Sequence, residues 1–361
     1  MKVVLVHDYL NQTGGAERVV GYFHELFSEA PVYTSFYIPE AMPEELRSWD
    51  IRTSFIQRLQ GVSTRYRRYL PLYPLAFGLW KVEACDLVLT SSATFAQGIR
   101  VPTGIPHVVY CHTPMRFVWE TDKYFGTSGF NLIEKAIVSA LKIPIKAWDY
   151  RASRSVTAYI ANSKNTQLKI KRFYGHDSEV IYPPIDAQRH AISDQVNDYF
   201  LIVSRLVHQK NIQLAIEAFN DLKLPLKIVG RGPYEGELRK RAGRAVEFLG
   251  YRTDEDVASL MSRCRALLLP GEEDLGLTPL EANASGRPVI ALGQGGALET
   301  VVSGQTGILF PEPTAGSLVR AVREFSGMSF SPQAIRAHAL RFDVPVFKKR
   351  ISAFLDWVVG K

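Results

Sequence analysis

Two glutamates eight positions apart, Glu273 and Glu281, stand in the stretch "LLLPGEEDLGLTPLEANASGRPVIAL", where an apolar run and a Pro-Gly break lead into three consecutive acids, Glu272, Glu273 and Asp274. Metal ligands would be expected at a tighter repeat or with histidines among them, so no metal is called for. A carboxylate also accepts paired hydrogen bonds, which suits a diol. Glu273 would offer this from a loop, and Glu281 from the helix "LTPLEANAS", which begins at Gly276. The amides of that helix's first turn would add donors for phosphate. A second set of charges precedes this one. Arg205 and Lys210 in "FLIVSRLVHQKN" lie just past an apolar run, and Asn211 is placed to cap the helix "IQLAIEAF". Two cations at a helix head suit a diphosphate. The loop "VGRGPYEGEL" repeats the device with Gly230, Arg231 and Gly232.

The first half carries two further candidates. In "HDYLNQTGGAERVVGYFHELF", Gly14 and Gly15 sit where a strand hands over to a helix beginning near Ala16. Paired glycines there let a phosphate approach backbone N–H groups, although a Gly-Gly pair alone also serves as a plain turn. The stretch lacks both the Gly-x-Gly-x-x-Gly spacing of dinucleotide oxidoreductases and the Lys-Ser/Thr of nucleotide hydrolases. After "HVVYC" come His112, Thr113, Pro114, Met115, Arg116 and Trp119. His112 reads either as a core histidine or as a hydrogen-bonding wall for a hydroxylated substrate.

The elements that must position these residues alternate. Val-, Ile- and Leu-rich runs ("KVVLV", "CDLVLTSS", "HVVYCH", "AYIANS", "SEVIYPP") recur with helical segments between them, the pattern of a parallel sheet covered on both faces. It restarts after Pro183-Pro184 with "DYFLIVSRL", "LPLKIVGRG", "AVEFLGY", "CRALLLPG", "RPVIALG" and "TGILF". The expected architecture is therefore two α/β domains, residues 1–182 and 183–342, with a linker at about 182–197. Residues 343–361 form an amphipathic closing helix that packs back toward the N-terminal domain. Ligands of open parallel sheets bind beyond the carboxyl ends of the strands, and two such sheets facing one another make a cleft.

Composition agrees. The 361 residues are 46% hydrophobic and 22% charged, enough for two cores. Three cysteines, Cys85, Cys111 and Cys264, are widely spaced in apolar contexts, which fits a reducing cytoplasm rather than a disulfide framework. The opening "MKVVLVHDYL" reads as a core strand rather than a signal peptide, and no apolar run approaches the roughly 20 residues that span a bilayer. A net charge of +7 and an isoelectric point near 9.2 suit anionic partners.

Taken together, "SRLVHQKN", "GRGP", "PGEEDLGLTPLEANASGRPVIALGQGGALETV" and the early Gly-Gly-Ala-Glu resemble the retaining glycosyltransferases of family four over essentially the whole chain. The resemblance implies the GT-B fold, α/β with two facing Rossmann-like domains and a cleft between them. It also implies transfer of a sugar from a nucleotide diphosphate sugar, with neither metal nor cofactor. By the same match, Arg205 and Lys210 bind the donor diphosphate, Glu273 holds the donor sugar and Glu281 the ribose. The backbone of Leu275, Gly276, Leu277 and Thr278 meets sugar and phosphates, with Gly230 and Gly14 in the donor loops. Gly15 faces the diphosphate from the other domain, and His112 lines the donor sugar. Retention is expected through a same-face mechanism in which the leaving phosphate helps deprotonate the acceptor. "CHTPMRFVWE" and "PGEEDLGLTPLEANASGRPV" look closest to bacterial mannosyltransferases of lipopolysaccharide O-antigen and exopolysaccharide assembly, which use GDP-mannose. Another nucleotide-sugar donor, a nucleotide-sugar epimerase on the same scaffold and a non-catalytic basic binder are the alternatives. Nucleic acid is disfavoured, because the aromatics near the basic run are packed with leucine and proline.

That basic run, "RLQGVSTRYRRYLPLYPLAFGLWKVE", interleaves Arg58, Arg65, Arg67, Arg68 and Lys81 with Tyr, Leu, Phe and Trp. Such a segment suits an anionic membrane surface, its aromatics and leucines entering the headgroup zone, although a packed helical hairpin has the same composition. "LIEKAIVSALKIPIKAWDYRASRS" could extend the surface. A polyprenyl-linked glycan acceptor and a peripheral place at the inner membrane face follow as expectations.

Overall fold

The computed structural model describes residues 1–121 and 132–360. Among them the chain forms two compact units. One takes in the chain up to Pro183 together with that from Phe347 onward, and the other is Pro184–Val346.

The first unit is built on a seven-stranded sheet of β1 (Val3–His7), β2 (Val32–Thr34), β3 (Ile51–Thr53), β4 (Leu87–Ser92), β5 (His107–Cys111), β6 (Ala158–Ala161) and β7 (Ser178–Val180), in the order β3-β2-β1-β4-β5-β6-β7. Every pairing is parallel. β1, β4 and β5 are buried along their whole length, as strands covered on both faces must be. β2 and β3 were not legible in the sequence, because each is three residues long and polar residues break its apolar run, Thr34 in β2 and Arg52 and Thr53 in β3.

The second unit has a six-stranded parallel sheet: β8 (Phe200–Val203), β9 (Leu226–Val229), β10 (Val246–Gly250), β11 (Leu267–Leu269), β12 (Val289–Leu292) and β13 (Gly307–Phe310), in the order β10-β9-β8-β11-β12-β13. All six were expected as apolar runs. Helix Ala315–Ser326 shows how the covering layer is specified: Leu318, Val322 and Phe325 recur at helical spacing and are buried.

The final helix, Val344–Val359, places Phe347, Ile351, Leu355 and Val358 in the first unit's core beside Val3, Leu5 and Phe23. Phe347 stacks on Phe23 at 5.9 Å between ring centroids. Among the described residues, no helix is long and apolar enough to cross a membrane.

The basic-aromatic stretch departs from the interfacial reading. It folds as short helical pieces, Val62–Arg65, Tyr66–Leu72 and Tyr73–Gly78, and its aromatics turn inward. Tyr73 and Phe77 are buried, while Tyr66, Tyr69 and Trp80 pack against the same core. Burying a large ring is worth more than leaving it at a surface, so the rings pack into the core. Leu75 and Leu79 remain exposed, with Arg58, Arg65, Arg68 and Lys81. Of the run beginning at Leu132, the helix Leu132–Ser153 is formed, but the side chains of 132–135, 137 and 138 lie outside the described residues.

Candidate functional site

In the second unit the strand order reverses between β8 and β11, and ligand crevices open at such reversals beyond the carboxyl ends of the strands. The loop after β8 carries Arg205 and Lys210, and the loop after β11 carries the three acids. The structure brings two of the expected residues together directly, since the Lys210 ammonium donates to Glu273 Oε1. A pocket beside them is lined by Ser204, Lys210, Pro270, Gly271 and Thr278 over the apolar floor of Ile202 and Leu268. Arg205 is exposed.

Four loops meet here by close approach of backbone. Gly230 follows β9 with φ +126°, and a Cβ on it would lie 1.9 Å from the Ser204 carbonyl oxygen, so only glycine fits between the β8 and β9 loops. Gly295, after β12, has φ +58°, and a Cβ there would fall 2.3 Å from the Glu273 carbonyl oxygen. That carbonyl accepts the Gly296 N–H at 2.8 Å. The "GQGG" turn thus braces the backbone of Glu273, the residue whose carboxylate reaches Lys210.

The acid triplet resolves into three placements: Glu272 is exposed, Glu273 half-buried and Asp274 buried. Helix Leu277–Ala284 follows, with Gly276 as its N-cap, a residue that has no side chain to cap with. Leu275 is buried; Leu277, Thr278 and Glu281 are half-buried. Asn211 does not cap as expected. It adopts φ +50°, a left-handed conformation asparagine tolerates, and its side chain makes no cap bond to the helix Ile212–Leu222. Asp254, Glu255 and Asp256 do form the first turn of a helix, capped by Thr253.

In the first unit the order reverses between β1 and β4. The Gly14 N–H, expected to be open to phosphate, instead donates to Glu17 Oε2 at 3.0 Å, closing the start of helix Gly15–Leu26. Glu17 Oε1 lies 3.9 Å from His7 Nε2. His7 Nδ1 is 3.1 Å from both the carbonyl and the hydroxyl oxygen of Ser91, and that hydroxyl is 2.8 Å from His112 Nε2. The two histidines are pushed apart in basicity. Burial works against charging His7, but the hydrogen bond and charge of Glu17, with Asp8, raise its pKa. Burial, with the neighbouring His7, pushes His112 down to about 3. His112 is therefore a neutral hydrogen-bonding group at ordinary pH.

Sequence reasoning passed over His7, Glu17, Ser91 and Asp8. Asp8 is buried, and its carboxylate accepts four successive backbone N–H groups, Ala93 through Ala96, at 2.6–2.9 Å, fixing the loop after β4. Glutamate three residues after Gly14 was a usable capping signal; nothing local linked His7 or Asp8 to residues some 84 positions on.

Comparisons with known proteins agree with this architecture. The family model described as Glycosyltransferase Family 4 matches residues 13–189, and that described as Glycosyl transferases group 1 matches residues 186–339. An uncharacterized glycosyltransferase of Methanocaldococcus jannaschii is 29% identical over 282 residues, 74% of this chain and 72% of that protein. The alpha-1,3/1,6-mannosyltransferase ALG2 of Dictyostelium discoideum is 24% identical over 86% of this chain and 86% of its own length. Among solved structures, Alr3699/HepE of Anabaena in complex with UDP shares the fold with a TM-score of 0.73 at 19% identity, over 99% of this chain and 100% of that one.

Proposed function

The chain belongs to the family 4 glycosyltransferases, with the GT-B architecture, and from that premise we propose that it transfers mannose from GDP-mannose, with retention and without a metal, to a lipid-linked glycan acceptor of cell-surface polysaccharide synthesis. The observation that carries the reading is the Lys210–Glu273 contact where the loops after β8 and β11 meet, at the reversal of the second sheet. Lys210 and the exposed Arg205 provide positive charge for a diphosphate leaving group, and the first-turn amides of Leu277–Ala284 add oriented donors. Stabilising charge as it develops on the leaving phosphate is the largest contribution such a site can make. Glu273, poised by Lys210 and by the Gly295–Gly296 turn, accepts hydrogen bonds from donor-sugar hydroxyls, Glu281 from the ribose, and His112 contributes a neutral partner to the sugar. The leaving phosphate oxygen then takes the acceptor's proton on the face it departs from, so the anomeric configuration is kept.

Mannose is favoured by the ALG2 relative and by the O-antigen resemblance of "CHTPMRFVWE". For the acceptor, Leu75 and Leu79 and the basic Arg58, Arg65, Arg68 and Lys81, all exposed, are the groups of this segment that would meet anionic lipid at the inner membrane surface. Donor turnover tests the reading. The purified protein is incubated with GDP-mannose, UDP-glucose and related donors, with a polyprenyl-linked acceptor, and with or without chelator. Release of GDP from GDP-mannose, undiminished by chelator, is expected; release only from another donor would remove the mannosyl assignment, and loss on chelation would remove metal independence.

A further inference from the structure

Three residues that share no stretch of sequence converge on one hydroxyl group. His7 ends β1, Ser91 lies in β4 and His112 follows β5. The groups facing His7 are Glu17 from helix Gly15–Leu26, Asp8 from its own strand end, Ser91 and His112. The proton positions follow from what each atom can do. The Ser91 carbonyl oxygen only accepts, so His7 Nδ1, 3.1 Å away, carries the hydrogen. That N–H also points at Ser91 Oγ, 3.1 Å away, which uses a lone pair to receive it. Ser91 Oγ keeps a second lone pair, but among the described residues its own hydrogen has no acceptor other than His112 Nε2, 2.8 Å away, so the buried hydroxyl donates to that ring nitrogen. A histidine that accepts at Nε2 and stays neutral has its proton on Nδ1.

We propose that His7 and Ser91 are positioning residues that hold His112 in its Nδ1–H tautomer, so that the ring offers an N–H donor, not a lone pair, to the bound sugar. Glu17 completes the set by accepting from Gly14 N–H while facing His7 Nε2, so helix Gly15–Leu26 holds the far end of the relay. The edge contact of His112 with Tyr110, with centroids 5.2 Å apart, fixes the ring's plane. The significance for the sugar rests on the transferase reading; the tautomer itself does not.

Nitrogen NMR of the full-length protein labelled in its histidines reads the tautomer without substrate. The expected result is a pyrrole-like Nδ1 and a pyridine-like Nε2 for His112, with Ser91→Ala shifting protonation toward Nε2. A wild-type His112 protonated at Nε2, or one unmoved by Ser91→Ala, overturns the proposal. Should Ser91→Ala fail to fold, His7→Leu gives the same comparison against His7→Asn, whose amide can restore an N–H at the Nδ1 position. In turnover, Ser91→Ala and His7→Leu are expected to lower kcat by about 10- to 100-fold with donor KM little changed, the scale seen when partners that orient a functional histidine are lost. His7→Asn should recover most of that. Wild-type rates in Ser91→Ala or His7→Leu would overturn the positioning role while leaving the transferase reading intact; a wild-type protein that turns over no donor would sink that reading and leave the NMR result standing.

Discussion

Lys210 and Glu273 form a direct ion pair across 63 residues of sequence, each side chain about one-fifth exposed. The proposed phosphate-binding cation and sugar-binding carboxylate are therefore one electrostatic unit. Lys210 divides its charge between Glu273 and whatever anion binds beside it.

Glu273→Ala removes the sugar contact and also frees Lys210. Turnover is expected to fall by about 10²- to 10³-fold, as when a preorganised polar contact to the transition state is lost. The affinity for the product nucleoside diphosphate, measured by calorimetry, should hold or tighten. Lys210→Ala should weaken the same affinity by about tenfold or more, since a hydrogen bond to a charged group contributes about 1.5–3 kcal/mol. Weakened diphosphate binding in Glu273→Ala would contradict the shared charge. A partly exposed pair adds at most about 1 kcal/mol to stability, so both variants should melt within a few degrees of the parent.

Gly230→Ala should act on folding. The substituted residue would combine a left-handed backbone with a Cβ placed 1.9 Å from the Ser204 carbonyl oxygen. Backbone strain and overpacking each cost about 1–3 kcal/mol, so a loss of roughly 2–5 kcal/mol is expected in the unit that holds this loop, read by calorimetry. An unchanged melting profile would mean that the loop contact is not rigid.

His107 gives the protein an acid sensitivity independent of the site. It is buried, bonded through Nε2 to Thr90 Oγ1 at 2.9 Å, and Nδ1 has no partner. Burial lowers its pKa from 6.5 to about 4. Because the folded form resists protonation, stability that is present above pH 6.5 is lost as pH falls toward 4. The slope is up to about 1.4 kcal/mol per pH unit. Urea midpoints measured across that range should flatten in His107→Gln; an identical slope would assign the sensitivity elsewhere.

Membrane contact and core packing separate within one segment. Leu75→Ser with Leu79→Ser should reduce flotation with anionic phosphatidylglycerol vesicles and leave the melting temperature nearly unchanged, since both leucines are exposed. Phe77→Ala should instead cost about 3–5 kcal/mol of stability, because the ring is fully buried. Undiminished vesicle binding in the double serine variant would remove the proposed lipid contact.

The sequence by itself determined the two parallel sheets, since their long strands are covered on both faces and must read as unbroken apolar runs. It also determined the final helix, through Phe347, Ile351, Phe354, Leu355 and Val358 at helical spacing, and the loops that carry Arg205, Lys210 and Glu273, because chemistry in such sheets gathers after strands. What only the tertiary structure decided were relationships across strands. That Lys210 pairs with Glu273, that Asp8 holds the amides of Ala93 to Ala96, and that Ser91 joins His7 to His112 depend on strand order, which local periodicity does not encode. The inward turn of Tyr73 and Phe77 was equally undetermined, because a buried and an interfacial aromatic have the same composition, and only the presence of a neighbouring core decides between them.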